Sequence, residues 1–127
     1  MSNDNRFRFR AWDKSFNKYC ENVIVSTINE KITVYGRLVN GRTQLIPNSH
    51  VVLEQCTGLK DKNGRLIYEG DIVWTDEDGY GHIRWDNELA QFFVATEEYY
   101  TFDNIFPSEM EVIGNIHENP ELLGAEK

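Results

Sequence analysis

The residue types able to do covalent or metal chemistry are few in this chain, and they are scattered. A metal centre needs several His, Cys or carboxylate ligands converging at short spacing, whereas His50, His82 and His117 each stand alone. Cys20 and Cys56 are isolated and far apart, which excludes a disulfide framework, a CxxC redox pair and a zinc ribbon, so both read as small buried hydrophobes. Nucleophilic catalysis needs a Cys or Ser beside a His and an orienting acid. Cys56 and His50 are present, but nothing in their spacing selects them. The run Asp76-Glu77-Asp78-Gly79 invites a calcium reading, yet it lacks the full loop and its closing bidentate Glu, and an acidic hairpin tip is expected instead. Carboxylate pairs such as Glu97-Glu98 or Glu109 and Glu111 carry no acid/base signal in a chain with 21 acids. Neither a GK[ST] phosphate loop nor GxGxxG occurs. No catalytic, cofactor-binding or metal-ligating residue is assigned, and the chain is expected to be non-enzymatic.

Binding is the chemistry that remains, and two segments could carry it. Arg6, Arg8 and Arg10 alternate with Phe7 and Phe9 and run into Trp12, so a strand would present three guanidinium groups on one face, able to neutralise phosphate or to stack on bases. The same pattern also suits an edge strand guarded against aggregation, or a strip that pairs with acids. Glu97-Glu98-Tyr99-Tyr100-Thr101-Phe102-Asp103 interleaves acids with aromatics and suits either a loop docking on something basic or a loop anchored in the core. The candidate interaction residues are therefore Arg6, Arg8, Arg10, Trp12, Glu97, Glu98, Tyr99 and Tyr100.

Charge weighs between the two segments. The net charge of −8 is uneven: residues 1–20 carry +3, residues 21–70 carry +1, and residues 71–127 carry −12, with only Arg84 and Lys127 against fourteen acids. Such a protein repels nucleic acid at long range, so DNA or RNA binding would have to use the N-terminal arginines locally. A basic partner, or a like subunit docked head to tail, fits the charge more easily. A mimic of DNA charge that occupies a nucleic-acid enzyme is a further reading of the acidic half.

The elements that must position these residues read as strands. At 127 residues, with 40% hydrophobic and 13% aromatic content, the chain is a folded domain with a core. No apolar run approaches the ~20 residues of a spanning helix, and MSNDNRFRFR has no apolar signal stretch, so a cytoplasmic protein without membrane contact is expected. Alternation predicts a strand over Arg6–Trp12, a turn over Asp13–Lys18 and a returning strand over Tyr19–Thr27. Ile32–Tyr35 is a short β-type run, followed by Gly36 and the hairpin pair Asn40-Gly41. Beyond Pro47, Val51–Leu53 leads to dense turn signals at Asp61–Gly64, Glu69-Gly70, Asp76–Gly79 and Asp86–Glu88. These separate short strands, with later ones at Gln91–Thr96 and Val112–Ile116, and the spacing is that of a small barrel. Asn119, Pro120 and Glu121 are expected to start one helical turn.

Three stretches stand out together: Phe9-Arg10-Ala11-Trp12-Asp13-Lys14; Gln55-Cys56-Thr57-Gly58-Leu59-Lys60-Asp61-Lys62-Asn63-Gly64 running into Ile67-Tyr68-Glu69-Gly70-Asp71-Ile72-Val73; and Glu111-Val112-Ile113-Gly114-Asn115-Ile116-His117-Glu118-Asn119-Pro120-Glu121-Leu122-Leu123. In this order the chain resembles the YopX family of small phage and prophage proteins over essentially its whole length. Cys56 and His117 stand where that family commonly carries an aromatic such as Tyr. The resemblance implies a mostly-β protein whose C-terminal part is similar to an SH3-like barrel, and a protein that self-associates; it implies no activity.

The expected architecture is one mostly-β domain over residues 1–127: an N-terminal β-hairpin region (1–50), a small SH3-like barrel (51–116) and a tail with a short helix (117–127). The expected function is that of a phage or prophage accessory protein in the bacterial cytoplasm. It would act without catalysis or cofactor, through homo-oligomerisation and contact with a host or phage protein, with nucleic-acid binding as the alternative.

Overall fold

A computed structural model of the chain describes residues 7–96, 99–102 and 106–124, without the side chain of Tyr99. The protein is mostly β, with no α-helix among the described residues. Its described residues form two compact units, an N-terminal unit of residues 8–55 and a C-terminal unit that begins at residue 56 and includes Phe7.

In the N-terminal unit, β1 (Phe9–Asp13) pairs antiparallel with β2 (Lys18–Tyr19) and with the first half of β6 (Val51–Lys60), in the register Phe9 opposite Gln55 to Asp13 opposite Val51. The alternation expected from residue 6 is realised only from Phe9 onward. The β6 ladder ends at the Phe9–Gln55 pair, so Phe7 stays 76% exposed and Phe9 39% exposed, while Ala11, Trp12 and Asp13 are buried. The returning strand expected over Tyr19–Thr27 is interrupted. After β2 the chain bends, and β3 (Ile24–Ile28) starts a separate three-stranded sheet of order β3-β4-β5, with β4 Lys31–Val39 and β5 Arg42–Ile46.

Both hairpins of that sheet turn through two residues with positive φ: Asn29 and Glu30 (52° and 65°), and Asn40 and Gly41 (51° and 76°). Two consecutive left-handed residues match the twist of the flanking strands, which explains the tight connection. The second turn is legible in the Asn-Gly pair. The first is hidden, because Glu is an uncommon choice at positive φ. Here Val34 and Ile46 face inward as a register pair and are almost fully buried.

In the C-terminal unit, the second half of β6 pairs with β7 (Leu66–Tyr68). A five-stranded antiparallel sheet of order β11-β10-β9-β8-β12 curls as a half-barrel from β8 (Asp71–Thr75), β9 (Gly79–Asp86), β10 (Gln91–Ala95), β11 (Tyr99–Thr101) and β12 (Glu111–Asn115). Its core is Ile67, Val73, Ile83, Val94, Met110 and Val112, with Phe92, Tyr100 and Phe102 packed against it. Each such fully buried aliphatic side chain contributes roughly 1.5–3 kcal/mol, so this cluster dominates the stability of the unit.

The chain end makes a 3-10 turn, Pro120–Gly124, in place of the expected helix. Leu122 N donates to Asn119 O at 3.1 Å, an i to i+3 bond. The Asn119 side chain turns away from the capping position, since its Oδ1 accepts the backbone N–H of Asn115 at 3.2 Å.

Candidate functional site

The N-terminal unit holds a cleft of about 190 Å³ whose walls include Asp13, Phe16, Lys18, Cys20, Arg37 and Leu38. Asp13 ends β1 facing inward, and its carboxylate is a four-donor acceptor. The N–H groups of Ser15 and Phe16 close the turn on Oδ1 at 2.9 and 3.3 Å, while Arg37 donates from Nε to Oδ2 and from Nη2 to Oδ1, both at 2.9 Å. Arg37 reaches Asp13 because β4 carries a bulge between Tyr35 and Arg37, which aims Arg37 toward the interior. Phe16 lies under its guanidinium, 4.4 Å from ring centre to Cζ. The Arg37 hydrogen bonds hold the Asp13 carboxyl below the usual carboxylate range, against the opposing effect of burial. Gly36 is required beside this pair, since a Cβ there would lie 2.8 Å from Cys20 Sγ and 3.1 Å from Asn22 O.

The one thiol in the walls of this cleft, Cys20, lacks the surroundings that activate a nucleophile. Burial raises the pKa of the Cys20 thiol, and the neighbouring Asp13 charge raises it further. A nucleophilic thiol needs the opposite, a thiolate favoured by cations or a base. Cys20 is therefore expected to alkylate with iodoacetamide at pH 7.5 several-fold more slowly than free cysteine. Peptide mass spectrometry of the time course checks this, and a rate equal to or above that of free cysteine contradicts it. Cys56 is fully buried. No group of three or more potential metal ligands occurs among the described residues.

A second carboxylate, Glu54 on β6, is 2% exposed: Arg10 Nε donates to its Oε1 at 2.8 Å and the Tyr19 hydroxyl donates to the same oxygen at 2.9 Å. The Arg10 guanidinium lies 4.6 Å from the Tyr19 ring centre, and Tyr19 meets Trp12 edge-on at 5.0 Å. Arg10 and Trp12 are thus built into the unit's own packing. Trp12 is 5% exposed and has no face open to a base. Arg8 precedes β1 and is exposed. Tyr100 packs against the core of the C-terminal unit. Arg6, Glu97 and Glu98 lie outside the described residues, as does the side chain of Tyr99. The structure therefore brings Arg10 and Trp12 together through Tyr19, while Arg8 and Tyr100 belong to different units.

What sequence reasoning missed is the outer face of the three-stranded sheet. Register places Ile24 opposite Tyr35 and Tyr35 opposite Leu45, so the three form one row across β3, β4 and β5 on the side away from buried Val34 and Ile46. Past the bulge after Tyr35, register sets Leu38 opposite Thr43 in step with this row, at the edge where both residues also border the cleft. Ile24 is 55% exposed, Leu45 50% and Leu38 58%, and at the far end Ile28, opposite Lys31, is 69% exposed. Single exposed apolar residues are ordinary, whereas a contiguous apolar row on an open sheet face is the kind of surface that a partner can bury. Its signal in the sequence is weak: Ile24, Tyr35 and Leu45 fall in step only once the two hairpin registers are known.

Comparison with known proteins adds identity but no activity. The family model described as YopX protein matches residues 8–124. The chain belongs to the YopX family. Among solved structures, protein EF1440 from Enterococcus faecalis is similar at 30% identity and a TM-score of 0.62, over 91% of this chain and 96% of that one. Protein YopX from Bacillus subtilis shares the fold at 20% identity and the same TM-score of 0.62, over 96% and 99% of the two chains. No curated protein matches. The stretches that carry the YopX resemblance prove to be folding devices, because each contains a side chain that takes up backbone N–H groups. Asp13 serves Ser15 and Phe16, Asp61 serves Asn63, Arg65 and Val112, Asp71 serves Tyr68, and Asn115 serves His117 and Glu118. In this YopX-family chain Asp13, Asp61, Asp71 and Asn115 position turns and strands.

Proposed function

We propose that this YopX-family chain is a phage- or prophage-encoded accessory protein of the bacterial cytoplasm that works without catalysis, by associating with itself and by protein contact. The observation that carries the reading is the apolar row of exposed Ile24, half-buried Tyr35 and exposed Leu45, with exposed Leu38 beside it. Burying such a face is favourable at about 25 cal/mol per Å² of apolar surface removed from water, before the costs of association. Nucleic-acid binding by the N-terminal arginines is the second reading: Arg8 is exposed and favours it, whereas the engagement of Arg10 by Glu54 and Tyr19 and the burial of Trp12 speak against it.

Light scattering and the anisotropy of a fluorescent single-stranded oligonucleotide, measured on one sample at low salt, test this reading. The expected result is a particle heavier than the 14.8 kDa chain with no rise in anisotropy. A 14.8 kDa particle overturns self-association. A salt-sensitive rise in anisotropy would return the function to nucleic acid.

A further inference from the structure

Resting on the self-association reading, we propose that the outer face of the β3-β4-β5 sheet receives the β9–β10 hairpin of a second copy, so that copies assemble head to tail. Charge selects this occupant. The N-terminal unit, residues 8–55, carries seven Lys/Arg against four Asp/Glu, or +3, and Lys31 stands on the exposed face itself, opposite Ile28. Face-to-face pairing of two such sheets would bring like charges together as it buried the apolar row, and like charges at an interface are unfavourable. Residues 56–124 carry four Lys/Arg against fifteen Asp/Glu, or −11. The complement of the basic unit is thus the acidic unit of another copy.

Within the acidic unit the β9–β10 hairpin has the matching shape. Trp85 is 39% exposed and Leu89 at the turn is 60% exposed, with Asp86 and Glu88 between them. The tip is tied by its own contacts: Asp86 Oδ1 accepts the N–H groups of Glu88 and Leu89 at 2.9 and 3.1 Å, and Trp85 rests edge-on against Phe92 at 4.9 Å. Preorganisation of this kind lowers the entropy lost on docking. The hairpin offers two apolar groups framed by acids, and the sheet offers an apolar row beside a lysine. A contact between two different surfaces of one chain is heterologous, and it propagates into a closed ring or an open filament.

The two surfaces can be disabled separately. Leu45→Glu sets an acid on the receiving face, and Leu89→Lys removes the apolar tip and reverses its charge. Light scattering should give single-chain mass for each variant alone and a mass twice that for their equimolar mixture, because each variant retains the surface the other lacks. Leu38→Asp serves as a second receiving-face variant, and circular dichroism matching the wild type shows that a variant is folded. The proposal is overturned if folded variants keep the wild-type mass, if Leu89→Lys alone stays assembled while Leu45→Glu does not, or if the mixture stays at single-chain mass. A wild-type protein that is itself a single chain overturns the self-association reading instead, which keeps the two failures distinguishable.

Discussion

Replacing Asp61 by alanine is expected to destabilise the protein by about 3 kcal/mol, a fall in melting temperature of roughly 10 °C. Asp61 is 5% exposed, and its carboxylate holds the Asp61–Gly64 turn from inside, with Oδ1 accepting from Asn63 N at 2.9 Å and Arg65 N at 2.8 Å. Oδ2 accepts from Val112 N at 2.9 Å, which fixes the start of β12 beside the turn. Alanine would leave the Val112 N–H buried without a partner, and that desolvation makes up most of the loss, while the turn N–H groups can recover water. Asp61→Asn should fall between the two, because its oxygen can replace Oδ1 whereas its NH2 would confront the Val112 N–H.

The same site gives a pH dependence. Burial alone would raise the Asp61 pKa, but the N–H groups of Val112, Arg65 and Asn63 and the Arg65 charge reverse this, and the folded value lies below the ordinary 3.8. A carboxylate with a lowered folded pKa binds fewer protons folded than unfolded. Its stabilisation is therefore fully present above the ordinary value and is lost as the pH falls through the folded value. Melting temperatures followed down from pH 7 should decline in acid for the wild type and decline less for Asp61→Ala. Equal acid slopes would contradict this account of Asp61.

The second large effect is expected at Glu54 in the N-terminal unit. Glu54→Ala should cost about 3 kcal/mol, because it leaves the Arg10 guanidinium, 18% exposed, and the Tyr19 hydroxyl without their shared acceptor. Glu54→Gln keeps an acceptor for Tyr19 and loses the charge, and should fall between alanine and wild type. Chemical denaturation of the three proteins checks the order. If Glu54→Ala is as stable as the wild type, the Arg10–Glu54–Tyr19 cluster does not hold the unit together, and Arg10 becomes available again as a surface charge.

These two acids show where sequence reading stops. The turns were legible because their cause is local: Asn40-Gly41 and Asp61–Gly64 announce left-handed backbone and side-chain-to-backbone bonds within a few residues. The mostly-β class was legible for the same reason, through alternation between turns. The family motifs were legible as whole words, and their structural role followed from the presence of Gly and Asp at turn positions. The full length of β4 was hidden, because the bulge at Gly36-Arg37 breaks the alternation that marks a strand. The destinations of Asp13 and Glu54 were hidden as well, since their cationic partners lie 24 and 44 residues away and an isolated acid reads as solvated. Glu54 does share strand parity with buried Cys56, which is a faint sign that it points inward.

The surroundings of the candidate residues were less legible for a physical reason. Alternation shows that a strand has two faces, but the core determines which face stays open, and the core is assembled from distant segments. Arg8 and Arg10 looked equivalent in sequence, yet the β6 ladder ends opposite Phe9 and only Arg10 finds a buried carboxylate. The apolar row needed both hairpin registers before Ile24, Tyr35, Leu45 and Leu38 could be seen as one surface.

The central claim, that this chain works by associating with itself, is tested most directly by sedimentation velocity of the wild-type protein across a hundredfold range of concentration at low and at moderate salt. The account predicts a species heavier than the 14.8 kDa chain, whose proportion falls on dilution and falls further as salt screens the contact between basic and acidic units. A single 14.8 kDa species at every concentration and both salts would contradict it.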